Sequence, residues 1–318
     1  MTTPPNPSLD RILSQVRPSQ RVDNTTIVET GNRKRTTIVR FVDDESVVVQ
    51  QSDDPAVARI EAALVAAIAE RTSVPVAPLL ASGTDSGEGW LVTSLVEGED
   101  LHERFVDLGS EIQRQLAAAF GRYLAELHEA FRFDSYGPIG LENGRLDTGR
   151  QQSSGDDWQD WFGGFADTSI ERLPAAFDSV RPRLQAVVQD DAGHAPPPRL
   201  FPWDLRPGNA LVDDGQLAAH VDWEGSLAAD PALSVAKTEY LVADWYVSPE
   251  QADMLRAAFR ASYRSVRSLP VVRPAHRVAA IADTAVDSRG SVTKPRYPPV
   301  DREAAVAFHR RALEQTLR

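Results

Sequence analysis

The sequence predicts an α+β protein built from two lobes, a small antiparallel sheet carrying one helix and then a mostly helical lobe. Three observations support this prediction. The chain has 318 residues, which is too long for one minimal core. Its first 97 residues contain five short segments rich in apolar and β-branched residues, separated by turn residues. From residue 98 onward, apolar residues recur at helical spacing. We therefore expect domains at 1–97 and 98–318.

In the small lobe, one helix and five strands are predicted. The helix should span residues 55–71, because Asp54 can cap its first turn and Pro55 suits its first position. Apolar residues then recur every three or four positions. The strands are predicted at 25–29, 36–42, 46–50, 78–83 and 90–96.

The second lobe begins with a long amphipathic helix whose apolar face runs from Ile112 to Leu127. Residues 131–157 are interpreted as irregular. Further helices are predicted near 157–166, near 174–190 and from Asp301 onward. A hairpin is predicted with strands at 210–212 and 217–221. A sheet with one helix, followed by a helical unit, is the bilobal layout of protein kinase-like folds, although many α+β proteins share this pattern.

Composition excludes several kinds of site and partner. The chain has no cysteine, so disulfides, thiolate catalysis and cysteine metal sites are excluded. Its net charge of −12 disfavours binding to nucleic acid, which depends on cationic contacts to phosphate. No apolar stretch reaches the length of a membrane span and no secretory signal is visible, so we expect a cytoplasmic protein. Abundant acidic residues and few lysines indicate a halophilic source, although a GC-rich genome would also favour arginine.

The segment FPWDLRPGNALVDDGQLAAHVDWE at 201–224 is the strongest functional signal. Phosphoryl transfer to an alcohol needs a group that orients the hydroxyl and Mg²⁺ to neutralise the phosphate oxygens. One loop could supply both, with Asp204 facing the hydroxyl and Asn209 binding the metal. Asp222 follows the predicted hairpin and could bind Mg²⁺ from a strand end. The alternative is purely structural: an Asx-turn at Asp204, an asparagine in a hairpin and a helix cap at Asp222.

This segment resembles the signature of the aminoglycoside phosphotransferase and choline kinase-like family. That signature reads His-Gly-Asp-Leu-His-Pro-Gly-Asn, then Ile-Asp-Trp, then Gly-Asp-Pro, and the chain has DLRPGN, HVDW and ADP in the same order. Weaker similarities precede it, at SVPVAPLLA (73–81), LVEGEDL (95–101) and LAELHE (124–129). The resemblance spans roughly residues 24–245 and implies the kinase-like fold.

The resemblance also implies roles for individual residues. Asp204 would be the catalytic base, and Asn209 and Asp222 would bind magnesium. By the resemblance, Gly31 and Asn32 lie in the loop over the nucleotide phosphates, and Glu61 on the small-lobe helix belongs to the nucleotide site. Further candidates for contact with ATP are Lys34 in the phosphate loop, Arg40 on the second strand and Gln50 on the third. Glu61 matches the partner of the family's ATP-binding lysine, although its position beside Ile60 also fits a solvent-facing residue.

The chain departs from the family at that lysine. The third strand should present it to the phosphates, but SVVVQQS offers Gln50 and Gln51, which bring no charge. A cation could instead come from a neighbouring strand, as in the with-no-lysine protein kinases. The candidates are Arg33, Lys34, Arg35 and Arg40, or Arg206 beside the catalytic aspartate. Alternatively, the cluster at 33–35 is a solvated turn. The family's aspartate after Gly-Asp-Pro is Ser234 here.

The function predicted is therefore an ATP- and Mg²⁺-dependent kinase acting on a hydroxyl of a small aminoglycoside-, choline- or sugar-like molecule. The alternative is a pseudokinase that binds a nucleotide or ligand without turnover. A protein kinase is disfavoured by the Trp-rich insertion before the catalytic loop. Trp158 and Trp161 in that insertion fit either an acceptor pocket or the core. His128 is interpreted as structural, and Lys237 as a surface or interlobe ion-pair residue.

Overall fold

The computed structural model describes residues 7–28, 34–43, 45–148, 158–191, 196–296 and 300–317. Gly31 and Asn32, two predicted nucleotide contacts, lie outside these segments. The helices are α1 (Pro7–Val16), α2 (Pro55–Arg71), α3 (Leu101–Arg104), α4 (Ser110–Ala130), α5 (Trp158–Glu171), α6 (Arg181–Gln189), α7 (Pro231–Ala243), α8 (Pro249–Val266), α9 (Pro274–Ala285) and α10 (Arg302–Thr316). The strands are β1 (Val22–Val28), β2 (Arg35–Phe41), β3 (Ser46–Ser52), β4 (Leu79–Asp85), β5 (Glu88–Ser94), β6 (Glu99–Asp100), β7 (Gly137–Glu142), β8 (Arg145–Thr148), β9 (Arg199–Phe201), β10 (Ala210–Asp213), β11 (Gln216–His220) and β12 (Leu227–Ala229).

The N-terminal region is an antiparallel sheet with strand order β1-β2-β3-β5-β4. Alternate residues of β2 and β3, among them Val39, Val47 and Val49, are fully buried on one face of it. They pack with Ile12 and Leu13 of α1, a helix that was not predicted from the sequence. The five predicted strands are all present, and the α+β fold class is confirmed.

Helix α2 covers the range predicted for it. The Asp54 carboxylate accepts a hydrogen bond of 2.8 Å from the backbone N–H of Ala56, and Pro55 occupies the first turn. The buried face of the helix carries mostly small and aliphatic residues, with one exception, Glu61, which is 2% exposed. A buried carboxylate requires a partner. Helix α2 therefore brings a charged group into the interior, next to the site described below.

The helical region is built around the long helix α4, which packs along α8. At their crossing a Cβ on Gly121 would lie 2.1 Å from the carbonyl oxygen of Phe259, so only glycine permits this close approach. Nearby, His128 of α4 is buried and bonds to the hydroxyls of Tyr263 (2.7 Å) and Ser234 (2.6 Å), which agrees with its predicted structural role. No helix within the described segments is both long and apolar enough to cross a membrane.

Two segments of the helical region differ from the sequence prediction. Residues 131–157 were interpreted as irregular, but β7 and β8 form a hairpin within them. Its turn places Asn143 and Gly144 at φ of 51° and 76°, and Asn-Gly is the usual signal for such a turn. The helix predicted at 174–190 is in fact a 3-10 turn followed by α6. Pro182 at the start of α6 sets where that helix begins.

Candidate active site

The catalytic loop predicted from the sequence connects β9 to β10. Trp203 has a φ of 22°, a conformation that costs energy in a bulky residue and is found mainly where a site requires it. The next residue, Asp204, is half-buried. Asn209 closes the loop, because its Nδ2 donates a hydrogen bond of 3.2 Å to the carbonyl oxygen of Asp204. The loop therefore brings the two predicted functional side chains together.

Arg206 lies within this loop and folds back over Gly208. A Cβ on Gly208 would lie 2.8 Å from Nη1 of Arg206, so the glycine makes room for the guanidinium. The Nε of Arg206 is 3.8 Å from Oδ2 of Asp204, too far for a hydrogen bond but close enough for electrostatic attraction. One positive charge therefore lies beside the predicted catalytic carboxylate.

Asp222 lies two residues beyond the end of β11. Its φ is 63°, a left-handed conformation that aspartate tolerates better than most residues do. Its side chain is 43% exposed. Together with Asp204 it lines a small cleft between the catalytic loop and the end of β11. The cleft is lined by Pro202, Asp204, Leu205, His220, Val221, Asp222 and Trp223.

Lys34, immediately before β2, connects the sheet to this cleft. Its Nζ lies 3.0 and 2.9 Å from the two carboxylate oxygens of Glu61 and 2.7 Å from Oδ1 of Asp222. Glu224 is the third acidic neighbour, at 3.4 Å. Glu61 also accepts a hydrogen bond of 3.1 Å from the backbone N–H of Trp223. The Glu61 carboxylate therefore holds both the lysine and the chain next to Asp222.

The charge of Lys34 is maintained by these neighbours. Burial would lower the pKa of its ammonium, but the carboxylates of Glu61, Asp222 and Glu224 outweigh burial and raise the pKa above its ordinary value. The lysine is therefore a permanent cation among three acidic groups. Such an arrangement has excess negative charge to offer a metal ion and a cation to offer a phosphate.

Strand register places Lys34 on the same face of the sheet as Gln50 of β3. Gln50 pairs with Thr36 of β2, and Lys34 precedes Thr36 by two residues, so it continues the same face of the sheet. The side chain of Gln51 is on the other face, where its Nε2 donates to Ser8 of α1 at 3.1 Å. Arg40 is exposed at the opposite end of β2. Of the predicted basic cluster, the described residue that reaches Glu61 is Lys34.

Lys237 is the functional candidate that the sequence analysis missed. It lies on α7 and is 2% exposed, not on the surface. Its Nζ lies 3.3 Å from Oδ1 of Asp204 and 2.7 Å from Oδ2 of Asp283. The neighbours of Lys237 along α7 are all buried too, from Ala232 to Ala236 and from Thr238 to Leu241. The sequence signal is a lysine within a helix that is buried on both sides of it. A lysine inside a fully buried helix must meet an anion.

The two cations set the ionisation of Asp204. Burial would raise the pKa of its carboxyl, but the charges of Lys237 and Arg206, with a hydrogen bond from Lys237, hold that pKa below its ordinary value. Asp204 is therefore a carboxylate at neutral pH. A carboxylate at this position can accept a hydrogen bond from a hydroxyl group.

The donor set of the cleft fits a magnesium ion that also binds phosphate. The amide nitrogen of Asn209 is bonded to Asp204, which leaves its side-chain oxygen as the possible ligand, and Asp222 adds a carboxylate. Among the described residues, no group of three or more acidic, histidine or cysteine side chains could hold a metal alone. Mg²⁺ typically takes one or two protein oxygens and completes its shell with phosphates and water.

The tryptophans of α5 divide between the two interpretations left open. Trp158 is 1% exposed and belongs to the core, stacked on Phe162 at 4.9 Å between ring centroids. Trp161 is half-buried and stacks on Phe165 at 5.5 Å. Phe165 in turn lies edge-on to Trp203, 5.8 Å away. A row of half-buried aromatic rings therefore leads to the residue before Asp204.

The sequence profile of the phosphotransferase enzyme family, which includes the aminoglycoside phosphotransferases, matches residues 15–274. The chain belongs to this family. The resemblance stated above is thereby confirmed, and it extends further along this phosphotransferase than the segments that suggested it. A search of curated proteins finds no match.

Solved structures share the fold of this phosphotransferase. A thermostable mutant of aminoglycoside phosphotransferase APH(4)-Ia in ternary complex with AMP-PNP and hygromycin B is 15% identical, covers 98% of each chain and has a TM-score of 0.64. A protein assigned as a fructosamine-3-kinase from Haemophilus somnus 129PT is 12% identical and has a TM-score of 0.63. The match covers 98% of this chain and 97% of that protein. A protein assigned as an aminoglycoside phosphotransferase from Ralstonia eutropha JMP134 is 17% identical and has a TM-score of 0.64. The match covers 98% of this chain and 96% of that protein.

The buried His220 of this phosphotransferase makes its stability depend on pH. Burial lowers the pKa of His220 to about 3, and the nearby backbone of Asn209 offsets only part of that shift. In the unfolded chain histidine titrates near 6.5, so the unfolded state gains a proton first as the pH falls. The contribution of neutral His220 to the free energy of unfolding is therefore fully present above pH 6.5. Below that pH it is lost by about 1.4 kcal/mol per pH unit.

Between pH 7.5 and pH 5 the free energy of unfolding should fall by about 2 kcal/mol less in His220→Phe than in the wild type, because phenylalanine binds no proton in either state. Guanidinium unfolding at the two pH values measures this. Phe120→Leu is the control, since its ring lies 5.0 Å from that of His220 and carries no titrating group. Equal pH dependence in wild type and His220→Phe would contradict the prediction.

Proposed function

We propose that this phosphotransferase transfers the γ-phosphoryl group of ATP to a hydroxyl group of a small molecule, with Mg²⁺ as its metal. The observation that carries the proposal is the single cluster in which Lys34 meets Glu61 and Asp222, beside a cleft that also contains Asp204. Family membership supports the phosphotransferase class. The cluster fits a site for the phosphates of a nucleoside triphosphate, for which we propose ATP.

In this proposal Lys34 binds the α- and β-phosphates, held in place by Glu61. Gln50, on the adjacent strand and the same face, is available as an uncharged hydrogen-bond donor. Gly31 and Asn32 stay predicted contacts of the loop over the phosphates. The arrangement keeps the Lys–Glu pair that kinases require, with the lysine moved from the third strand to the start of the second.

Asn209 and Asp222 would hold the metal. A magnesium ion held by these two side chains would supply positive charge against the charge that develops on the phosphate oxygens during transfer. Lys34 bonds to Oδ1 of Asp222 at 2.7 Å, and the second oxygen of that carboxylate would be the one that faces a cation. The residues present therefore suit the metal's coordination preference.

Asp204 would act on the acceptor. Its carboxylate accepts a hydrogen bond from the acceptor hydroxyl and so aligns the oxygen with the γ-phosphorus. The new P–O bond forms as the bond from the γ-phosphorus to the bridging oxygen breaks, and ADP leaves with that electron pair. The hydroxyl proton passes to Asp204. Because its pKa is held low, Asp204 first orients the hydroxyl and receives the proton late in the step.

The acceptor class is proposed only as a small alcohol. A structural neighbour binds hygromycin B in its crystals, which makes aminoglycosides the first compounds to screen, followed by sugars and amino-alcohols. The half-buried rings of Trp161 and Phe165 could pack against such a molecule. The predictions of two lobes divided near residue 97, a cytoplasmic location, a halophilic source and no nucleic-acid partner are retained as proposals.

The pseudokinase alternative depended on the missing lysine of the third strand. Lys34 supplies a cation from the neighbouring strand, bonded to the glutamate that such a lysine requires. Asp204 and Asp222 line the cleft, and the side chain of Asn209 bonds to the backbone of Asp204, which supports an active site. No observation now favours loss of turnover over activity.

Thermal unfolding with AMP-PNP, with and without Mg²⁺, tests the nucleotide site. We expect a magnesium-dependent rise in Tm, corresponding to about 2.7 kcal/mol when the nucleotide is at a hundred times its Kd. Asp222→Asn should abolish the magnesium dependence, because it removes the charged ligand. Asp213→Asn is the matched control, an exposed aspartate of the adjacent hairpin. A wild type whose Tm does not respond to nucleotide would overturn the proposal.

A further inference from the structure

Lys237 has an environment that ion pairing within the helical lobe does not by itself explain. It lies in the middle of α7, and every residue of that helix is buried. Besides Asp204 and Asp283, its Nζ lies 4.1 Å from the centre of the Trp203 ring. Trp203 is the residue with the strained backbone directly before Asp204. The lysine therefore contacts two consecutive residues of the catalytic loop.

These contacts give the ammonium group three partners. An ammonium has three N–H bonds and no acceptor. Nζ donates a hydrogen bond of 2.7 Å to Asp283, lies at ion-pair distance from Asp204 and lies over the Trp203 ring, whose face attracts a cation. A group satisfied in this way has little freedom to move. It can hold a neighbour in one position before substrate binds.

Stability alone is a weak reason for this cluster. Replacing a buried ion pair by packed apolar residues is often neutral or stabilising, because desolvation of the charges is costly. Leucine or methionine in α7 and on α9 would fill the same space as Lys237 and Asp283. The charged cluster does something that an apolar one could not: it places a cation against Asp204.

The two carboxylate oxygens of Asp204 therefore lie at different distances from their nearest cations. Oδ1 lies 3.3 Å from Nζ of Lys237, whereas Oδ2 has its nearest cation, Nε of Arg206, at 3.8 Å. We propose that Lys237 is a positioning residue of the phosphoryl-transfer site, holding Oδ1 of Asp204 so that Oδ2 receives the acceptor hydroxyl. The inference rests on the proposed function and identifies a residue outside the family signature on which that function depends.

The other charged groups around Lys237 and Asp204 are consistent with Lys237 holding Oδ1 of Asp204. Asp283 of α9 forms a buried ion pair with Lys237 at 2.7 Å. Arg172, after the end of α5, lies 3.6 Å from the second oxygen of Asp283 and fixes that carboxylate. Arg206 approaches Asp204 from its own loop. A chain of alternating charges therefore runs from Arg172 through Asp283 and Lys237 to Asp204.

The first test measures the ionisation of Asp204 without requiring activity. Carbon-13 NMR of aspartate carboxyl groups, with the Asp204 signal assigned by Asp204→Asn, should show an ionised Asp204 in the wild type throughout pH 7.5 to 4. In Lys237→Met the same signal should titrate at a higher pH than in the wild type. Lys294→Met is the control, because Lys294 is exposed, and it should behave as the wild type does.

The second test is kinetic and separates positioning from binding. With ATP and an acceptor found by screening, or with water as acceptor, Lys237→Met should lower kcat at least about tenfold and leave the KM for ATP within about twofold. The acid limb of the kcat profile should move to higher pH in this variant. Lys237→Arg should restore most of kcat, because it returns the charge.

Each outcome decides the inference. If Asp204 of the wild type titrates at the ordinary value for aspartate or above it, Lys237 does not hold it and the inference is overturned, even should Lys237→Met fail to fold. Equal titration and equal kcat in wild type and Lys237→Met would also overturn it. A shifted titration in a protein that neither binds nor turns over ATP would contradict the proposed function, and the contact of Lys237 with Asp204 would stand.

Discussion

Asp204→Asn should lower phosphoryl transfer by about a thousandfold, within the range expected for loss of a general base. Asparagine keeps the size and planarity of the side chain, but its amide cannot accept the hydroxyl proton. Binding of Mg²⁺ and AMP-PNP should change by no more than about twofold, because Asn209, Asp222 and Lys34 are untouched. Transfer of labelled γ-phosphate from ATP to a panel of hydroxyl compounds measures the first quantity, and the nucleotide-dependent rise in Tm measures the second.

This variant also removes one of the two carboxylates that face Lys237. Loss of a charged partner from a buried group typically costs about 1–3 kcal/mol, so its stability must be measured beside its activity. Asp213→Asn makes the same chemical change on the exposed hairpin and should keep full activity. An Asp204→Asn protein that is folded and transfers phosphate at the wild-type rate would show that another group is the base.

Lys34→Met should weaken nucleotide binding by roughly 10- to 100-fold, the equivalent of one charge-assisted hydrogen bond of about 1.5–3 kcal/mol. Methionine has a similar length but no charge. The loss also leaves Glu61, Asp222 and Glu224 without a common cation, and their negative charge would repel the phosphates. Turnover at saturating ATP should fall as well, because the phosphates are no longer held in line.

The chain offers both a control and a rescue for this experiment. Arg40→Met removes a cation from the exposed end of the same strand and should leave binding unchanged. Gln50→Lys, combined with Lys34→Met, returns a lysine to the third strand on the same face of the sheet. We expect the double variant to bind nucleotide more tightly than Lys34→Met alone. Unchanged binding in Lys34→Met would show that Lys34 is not the phosphate-binding cation.

Local patterns in the sequence were sufficient for much of the fold. Helix α2 begins where Asp54 and Pro55 predict, because capping depends on residues a few positions apart. The hairpin before Asp222 was predicted for the same reason. The hairpin β7–β8 carried an equally local signal, Asn143-Gly144, which was overlooked within a polar segment. Helix α1 was missed because its few apolar residues acquire their meaning only against the sheet that they cover.

By itself, the sequence determined the family and placed the candidate site residues Asp204, Asn209 and Asp222 in one short segment. Tertiary structure decided which cations serve them. Lys34 reaches Asp222 across 188 positions of the chain, and Lys237 reaches Asp204 from a different helix. The physical reason is that a charged side chain pairs with whatever anion the fold places within a few ångströms of it, and separation along the chain does not limit that contact. Lys34, the candidate for the missing lysine of the third strand, therefore became identifiable only once the sheet and helix α2 were in place.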